Sequence, residues 1–332
     1  MVHIFGRTVN NNEEFYPDSI LYSDWHCSVY AKNDLIYAYC DGTSVEIPCQ
    51  AQTFCSNTQY VFILSTEGVV SAFYKPDKIV HTTGIENILS FSANDDELYC
   101  VSMDRFLSVY SLKNFPKIIE PTQPLSVKIK SVASGPGFAL FLTPSGHVFS
   151  KGIGTRGQLG HGDLEFQSEP TIIEALKPLT VVEIACGYWH SACLTDTGDV
   201  YTWGSNEFGQ LGCGSINLER SKNINNPLIA MDSCINLSPL PIPVELPDDV
   251  SIFAIACGSR HTVCLSENND LFSFGWNGFG QLGFDMEPQK MPGRYPHLAS
   301  SDKINRIPLP FTPNSKLSLI CGSWCTIIRE IQ

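Results

Sequence analysis

Gly157-Gln158-Leu159-Gly160 recurs as Gly209-Gln210-Leu211-Gly212 and as Gly280-Gln281-Leu282-Gly283, and each copy closes a longer repeated block. The blocks run from 132 to 160, from 184 to 212 and from 255 to 283. Each block has a glycine, a second one 17 residues later and a third five residues after that: Gly135, Gly152 and Gly157; Gly187, Gly204 and Gly209; Gly258, Gly275 and Gly280. Self-similarity at a fixed period indicates a repeat architecture. We interpret these nine as structural glycines, and expect the third in each block to lie where a Cβ atom would disturb the backbone or a close contact.

The clearest block predicts three short antiparallel strands. Residues 184–187 form an apolar strand that ends at a glycine, 191–195 form a second strand, and 199–204 form a third. The turn at 196–199 contains Gly198, which can adopt the positive φ of a tight hairpin. A less regular outer segment follows, and three or four short antiparallel strands joined by hairpins are typical of a propeller blade. The same pattern predicts strong repeats at 132–163, 184–215 and 255–286, and weaker ones at 23–42, 53–74 and 89–111.

A seventh repeat is split between the two ends of the chain. Residues 319–332 repeat the first two strands, and residues 1–7 match the third, so the N-terminal strand is predicted to complete the C-terminal blade. This closure would remove the open sheet edges. The predicted fold is therefore all-β: one domain, 1–332, forming a seven-bladed β-propeller. Proline-rich stretches at 213–247 and 284–314 are predicted to be loop insertions.

Composition narrows the classes of function. Hydrophobic residues make up 43% of the 332 positions and charged residues 17%, which suits a large core. The net charge of −13, from 21 basic and 34 acidic residues, argues against tight direct nucleic-acid binding. The sequence contains no run of about 18 apolar residues, so no membrane span is predicted. Thirteen cysteines without a signal peptide indicate reduced thiols in an intracellular protein.

Three repeated features together resemble the regulator of chromosome condensation repeat family. They are a Gly-x-x-His segment (Gly187 to His190, Gly258 to His261), an aromatic residue followed by glycine (Trp203-Gly204, Phe274-Gly275) and Gly-Gln-Leu-Gly. The resemblance implies a seven-bladed propeller without catalytic activity. It further implies a chromatin-associated adaptor, monomeric within its complex, whose partner is a Jumonji-domain oxygenase acting on histone lysine methylation. Such a protein would support chromosome segregation and spindle organisation, and would be found in the nucleus and also in the cytoplasm.

Two alternatives from the same family stay open. One is a guanine-nucleotide exchange factor for a small GTPase; the founding member of the family uses a β-wedge for exchange and a basic N-terminal tail on chromatin, and neither feature is visible in this sequence. The other is a module of a ubiquitin ligase or a cytoskeletal scaffold. A propeller fold alone does not decide among these functions.

Two motifs imitate chemical sites. The pattern Cys186-x-x-x-His190-x-x-Cys193 suggests zinc, but the equivalent positions of another block are Ser134, Phe138 and Phe141. We therefore interpret the cysteines as small buried residues and expect no metal. Gly152-x-Gly154-x-x-Gly157 imitates a dinucleotide fingerprint, but it is followed by Gly-Gln-Leu-Gly and not by an apolar helix. We expect no cofactor and no catalytic residues.

The residue before the repeated histidine position is the candidate contact residue. In five repeats it is Trp25, Gly137, Trp189, Arg260 and Trp324. Equivalent positions of a propeller lie on one face, and Trp and Arg are enriched at binding hot spots. We therefore predict that Trp25, Trp189, Arg260 and Trp324 bind a protein partner. The alternative is that these side chains fill space between neighbouring blades.

Overall fold

The computed structural model describes residues 2–6, 20–24, 26–32, 35–48, 50–115, 121–122, 126–213, 236–248, 250–284, 300–312 and 315–330. Within these ranges the chain forms 26 strands, β1 to β26 in chain order, and one 3-10 turn at Glu174–Leu176. In this part of the chain no helix has the length and apolar character needed to cross a membrane.

The strands form seven antiparallel sheets, which we number as blades in chain order. Blade 1 contains β2 to β5: Ile20–Ser23, Cys27–Lys32, Leu35–Cys40 and Thr43–Ile47. Blade 2 contains β6 to β9: Ala51–Ser56, Tyr60–Ser65, Val70–Tyr74 and Ile79–Ile85. Blade 3 contains β10 to β12: Ile88–Ala93, Glu97–Ser102 and Leu107–Ser111.

The second half of the ring carries the strong repeats. Blade 4 contains β13 to β16: Ser131–Gly135, Phe138–Leu142, Val148–Gly152 and Gln167–Ile172. Blade 5 contains β17 to β20: Val181–Cys186, His190–Thr195, Val200–Ser205 and Leu237–Pro243. Blade 6 contains β21 to β24: Ile252–Cys257, His261–Ser266, Asp270–Trp276 and Ser300–Pro308. Blade 7 contains β25, β26 and β1: Leu317–Cys321, Cys325–Glu330 and Val2–Gly6.

The core lies between the blades because each central strand is buried on both faces. In β18, Cys193 packs in the cluster shared with blade 4, whereas Ala192 and Leu194 pack in the cluster shared with blade 6. Successive side chains of a strand point to opposite faces, so one blade contributes to two interfaces at once. All six residues of β18 are buried. The stability of the ring therefore resides in the junctions between blades.

Ring closure by the N-terminal strand is confirmed. Strand β1 pairs antiparallel with β26, with His3 opposite Ile328 and Phe5 opposite Thr326. Phe5 packs in the cluster shared with blade 6, and Ile4 packs in the cluster that contains Ile20 of blade 1. The strand thus supplies apolar contacts on both sides of blade 7. The seven-bladed, all-β prediction is confirmed with it.

The two predicted loop insertions were too long. The interval 213–247 contains β20, and 284–314 contains β24; residues 214–235 and 285–299 lie outside the described part of the chain. Strand β20 includes Pro239, Pro241 and Pro243. It is the outermost strand of its sheet and pairs only with β19, so proline is tolerated there. Blades 1 and 2 also have four strands, within the three or four expected of a blade.

The expectation that every cysteine is reduced was wrong for one pair. Cys27 and Cys40 face each other on β3 and β4 with Cα atoms 4.6 Å apart, and they form a disulfide. This separation is within the range that a disulfide can bridge. Strand register, which the sequence pattern does not reveal, brings the two sulfurs together.

Ring closure predicts a measurable dependence on the first seven residues. Deletion of residues 1–7 should lower the melting temperature by at least about 5 °C, because it exposes the edge of β26 and uncovers apolar surface at two junctions. Thermal unfolding followed by circular dichroism measures the change. A synthetic peptide of residues 1–8 should restore much of the loss and a scrambled peptide should not; an unchanged melting temperature would contradict the closure.

Candidate partner-binding face

Two kinds of connection meet on one face of the ring. The AB turn joins the first and second strands of a blade, and the CD loop joins the third and fourth; the repeated Gly-Gln-Leu-Gly lies in the CD loops of blades 4, 5 and 6. Backbone hydrogen bonds join the two connections, as in the 2.8 Å bonds from the Ser205 amide to the Trp189 carbonyl and from Trp276 to Arg260. At the centre of this face a cavity of about 510 Å³ opens along the ring axis, lined by the AB turns of all seven blades.

Gly-Gln-Leu-Gly folds in the same way in all three loops. The glutamine Oε1 accepts a hydrogen bond from the backbone amide two residues earlier, at 2.8, 2.8 and 3.0 Å for Gln158, Gln210 and Gln281. Each leucine is buried, and its carbonyl accepts a 2.7 Å hydrogen bond from a hydroxyl of the third strand: Ser150, Thr202 and Ser273. The motif therefore fixes the CD loop onto its own blade.

The same glutamines connect each blade to the next. Their backbone carbonyls accept hydrogen bonds from Ser191, Thr262 and Thr326 of the following blade, at 2.8, 2.7 and 2.9 Å. His190 Nε2 lies 2.9 Å from the Thr262 hydroxyl. That hydroxyl donates its single proton to Gln210, so His190 must carry its proton on Nε2 and donate it. We call this chain of three groups the latch; His261 and Thr326 repeat it at 3.2 Å.

Burial keeps the latch histidines neutral. Both side chains are fully buried, and desolvation lowers the pKa of His190 and of His261 to about 3. A protonated imidazole would lose its hydration without gaining a compensating anion. The histidines of the repeat therefore hold blades together.

Glycines at the ends of the first strands allow the blades to approach each other closely. A Cβ atom on Gly187 would lie 2.6 Å from the Gly258 carbonyl oxygen, and one on Gly135 would lie 2.3 Å from the Gly187 oxygen. Blades 1 to 3 have Asp24, Asn57 and Asn94 at this turn. Their Oδ1 atoms accept hydrogen bonds from the amides two and three residues later, at 2.7 to 3.0 Å. Side-chain capping thus replaces glycine in the weak repeats.

The predicted contact residues lie in a row of stacked side chains that crosses the junctions. The residue before each Gly-Gln-Leu-Gly packs on the residue before the histidine position of the next blade. The Arg156 guanidinium lies 5.2 Å from the Trp189 ring, and the Arg260 guanidinium lies 4.5 Å from the Phe208 ring. The Phe279 and Trp324 rings are 6.1 Å apart. We call the row the aromatic belt; it also includes Tyr188 and Trp276.

The belt has a buried layer and an exposed layer. Phe208, Trp276 and Trp324 form a buried cluster, with exposures of 3%, 7% and 7%. Tyr188 and Phe279 are 37% and 41% exposed, and Trp189 and Arg260 are half-buried. Glu207 forms an ion pair with Arg156. Partial burial lowers the pKa of Arg260 and Glu207 opposes that shift, so the guanidinium stays cationic at neutral pH.

The structure brings three of the four predicted contact residues together. Trp189, Arg260 and Trp324 lie on the same face, and Trp25 lies outside the described residues. The ring centroids of Trp324 and Trp276 are 4.6 Å apart, and Trp324 exposes little surface. Its position favours the alternative that this side chain fills space between neighbouring blades. Sequence reasoning missed Arg156, Phe208 and Phe279. Each of them immediately precedes the third glycine of its block, so aligning the repeats at that position could have found them.

The zinc-like motif is used for packing. Cys186 and Cys193 both pack in the core between blades 4 and 5, and burial raises the pKa of the Cys193 thiol to about 12. His190 Nε2 donates its hydrogen bond to the Thr262 hydroxyl. Over the described ranges, no group of three or more His, Cys, Asp or Glu side chains is placed to hold a metal ion.

Sequence comparison defines the class of this propeller. Residues 145–194 and 197–265 match the Regulator of chromosome condensation (RCC1) repeat, and 181–210 and 254–281 match a second model with the same description. Residues 145–281 of this seven-bladed propeller therefore carry RCC1 repeats, and the resemblance inferred from the sequence is confirmed.

Individual relatives agree with this class. Human RCC1 domain-containing protein 1 is 32% identical over 232 residues, covering 63% of this chain and 59% of the human protein. The mouse protein of that name is 37% identical over 185 residues, covering 51% of this chain and 49% of the mouse protein. The chain thus spans between about half and three-fifths of these relatives' lengths.

A solved structure supports the fold. The structure of Prp20p from Saccharomyces cerevisiae, a protein that binds Gsp1p and histones, superimposes with a TM-score of 0.70. The two proteins share 16% identity, over 94% of this chain and 82% of Prp20p. At this identity, the likeness describes the fold alone.

The repeat glycines of the CD loops give a matched pair of substitutions. Gly209 and Gly280 share a φ of +81°, but a Cβ on Gly209 would lie 2.8 Å from the Asp302 Cα, whereas no atom of the described residues lies within 4 Å of one on Gly280. Gly280→Ala should lower the free energy of unfolding by about 1 kcal/mol through backbone strain. Gly209→Ala should lower it by at least about twice as much, because backbone must also move. Urea unfolding measures both; equal losses would mean that strain alone explains these glycines.

Proposed function

We propose that this chain is a non-catalytic adaptor that binds a protein partner through the exposed layer of the aromatic belt. The partner in this proposal is a Jumonji-domain oxygenase that acts on histone lysine methylation. The adaptor would work on chromatin in the nucleus and support chromosome segregation and spindle organisation. The observation that carries the proposal is the row formed by the exposed Tyr188 and Phe279 with the half-buried Trp189 and Arg260, on a scaffold held by buried latches.

The chemistry of this row suits a protein interface. Trp, Tyr and Arg are the side chains most enriched at hot spots, and they contribute most where neighbouring groups exclude water. Arg260 is held against Phe208 beneath it, so its position is set before a partner arrives. A pre-positioned side chain loses less conformational entropy on binding. The belt is therefore the part of the described surface that we expect to carry affinity.

The choice of partner rests on the similarity to RCC1 domain-containing protein 1. The net charge of −13 supports recruitment to chromatin through protein contacts. We accordingly expect only weak binding to naked duplex DNA at physiological salt, and a single propeller in each complex.

A second candidate is nucleotide exchange on a small GTPase. It is favoured by the fold shared with Prp20p, which binds Gsp1p. A ubiquitin-ligase or cytoskeletal scaffold module is a third candidate that uses the same kind of surface.

Binding measurements on the full chain test the proposal. A purified Jumonji-domain histone-lysine oxygenase is titrated onto the immobilised protein, and Trp189→Ala/Arg260→Ala should weaken its affinity at least about tenfold, the loss expected for hot-spot residues. The control is Arg105→Ala/Phe106→Ala, which removes an arginine and an aromatic ring from the turn between β11 and β12. It should change the affinity less than about twofold.

Three outcomes would count against the proposal. Unchanged affinity in a folded double variant would remove the belt from the interface. Loss of the circular dichroism signal would indicate that Trp189 and Arg260 pack the junction; the exposed Tyr188→Ala then becomes the deciding variant, and unchanged affinity with it would exclude the belt. Accelerated nucleotide release from a small GTPase would favour the exchange factor.

A further inference from the structure

A groove of about 840 Å³ lies between blades 5 and 6, away from the aromatic belt. Its walls are the turn at Asp199, the connection that follows β20, and Phe272, Ile304 and Arg306 of blade 6. The turn at Asp199 joins the second and third strands, so it lies at the opposite end of the blade from the AB turns and CD loops. A molecule in this groove would leave the belt free.

The groove exists because the connection after β20 differs from its counterparts. After β16, the 3-10 turn Glu174–Leu176 places Leu176, which is 1% exposed, in the core between blades 4 and 5. After β24, Leu309 and Phe311 are buried against blade 7. After β20, Val244 is buried, but the chain continues through Glu245-Leu246-Pro247 without such a turn. Leu246 and Ile304 pack only partly on the core, so both present apolar surface to the groove.

The rim of the groove is negatively charged. Asp199, Glu245 and Asp248 are all exposed, and all line the groove. Arg306 is the single cation of the lining, and its guanidinium donates a 2.6 Å hydrogen bond to Asp270 Oδ2. Because Asp270 already matches that charge, the three carboxylates leave an excess of negative potential beside the apolar side chains of Leu246 and Ile304.

We propose that this groove binds a short, lysine- or arginine-rich protein segment that carries a bulky apolar side chain. The cations face Asp199, Glu245 and Asp248, and the apolar side chain contacts Leu246 and Ile304. Complementary charge at the rim and an apolar centre are the usual arrangement of a protein interface. Recognition is through side chains, because Pro241 and Pro243 remove backbone donors from the end of β20 next to the groove.

This inference goes beyond the proposed function, since it concerns a second surface. A partner on the belt and a basic segment in the groove can be bound at the same time. The propeller would then bring two proteins together, whichever partner occupies the belt.

The test uses the full chain and defined peptides. The probe is a fluorescein-labelled 12-residue peptide of the repeat Lys-Ala-Arg-Leu, titrated by fluorescence anisotropy at 150 mM salt, with a second peptide in which serine replaces leucine. The groove variant is Glu245→Lys/Asp248→Lys. The control variant is Glu67→Lys/Glu169→Lys, which changes the net charge equally at exposed glutamates of blades 2 and 4.

The groove variant should bind the leucine peptide at least about tenfold more weakly than the parent protein, and the control variant no more than about threefold more weakly. The parent should bind the serine peptide at least about fivefold more weakly than the leucine peptide. Equal losses in the two variants would indicate general charge attraction and would overturn the proposal. Failure of the parent to bind, or equal binding of the two peptides, would also overturn it.

Discussion

A buried hydroxyl at the junction between blades is the interaction on which the rest of this structure depends. The Thr262 hydroxyl accepts a hydrogen bond from His190 Nε2 and donates one to the Gln210 carbonyl. One oxygen of blade 6 thus joins both the second strand and the CD loop of blade 5. All three groups are buried, so breaking either hydrogen bond would leave a buried polar atom without a partner. These hydrogen bonds therefore fix the position of one blade relative to the next.

That constraint produces the candidate interface. The latch places the CD loop of one blade beside the AB turn of the next, and the belt residues are attached to these two connections. At each of the three junctions a hydroxyl donates a hydrogen bond to the glutamine carbonyl, whereas the stacked pair differs: Arg156 on Trp189, Phe208 on Arg260, and Phe279 on Trp324. A fixed framework with variable side chains at its edge allows a propeller to change partners without refolding its core.

Much of the fold could be predicted from the spacing of the repeated glycines. Three blocks with glycines at equal intervals predicted blades 4 to 6, and the match of 1–7 to the missing strand predicted the closure. The outer strands of blades 5 and 6 fell inside the predicted loop insertions because they contain prolines, which a strand that pairs on one side only tolerates. The turns of blades 1 to 3 escaped the glycine pattern because Asp24, Asn57 and Asn94 satisfy the same amides with side chains.

The site was predicted less completely than the fold. The positions before the histidine were found because they recur in the sequence, but their stacking partners lie in a different blade, and only the structure brings them together. The Cys27–Cys40 disulfide depends on strand register, and the groove depends on how three connections differ in packing. Such features arise from relative placement, which a repeat pattern does not encode.

Amide hydrogen exchange on Thr262→Val tests most directly whether the latch couples neighbouring blades. Valine keeps the shape of threonine but leaves the His190 proton and the Gln210 carbonyl without their partner, which should cost about 2–3 kcal/mol. Thr195→Val is the matched control, because the Thr195 hydroxyl bonds within its own turn. We predict that Thr262→Val lowers amide protection both in β22 and in the CD loop of blade 5, while Thr195→Val affects blade 5 alone. A loss of protection confined to blade 6, or no larger than that of the control, would contradict the account.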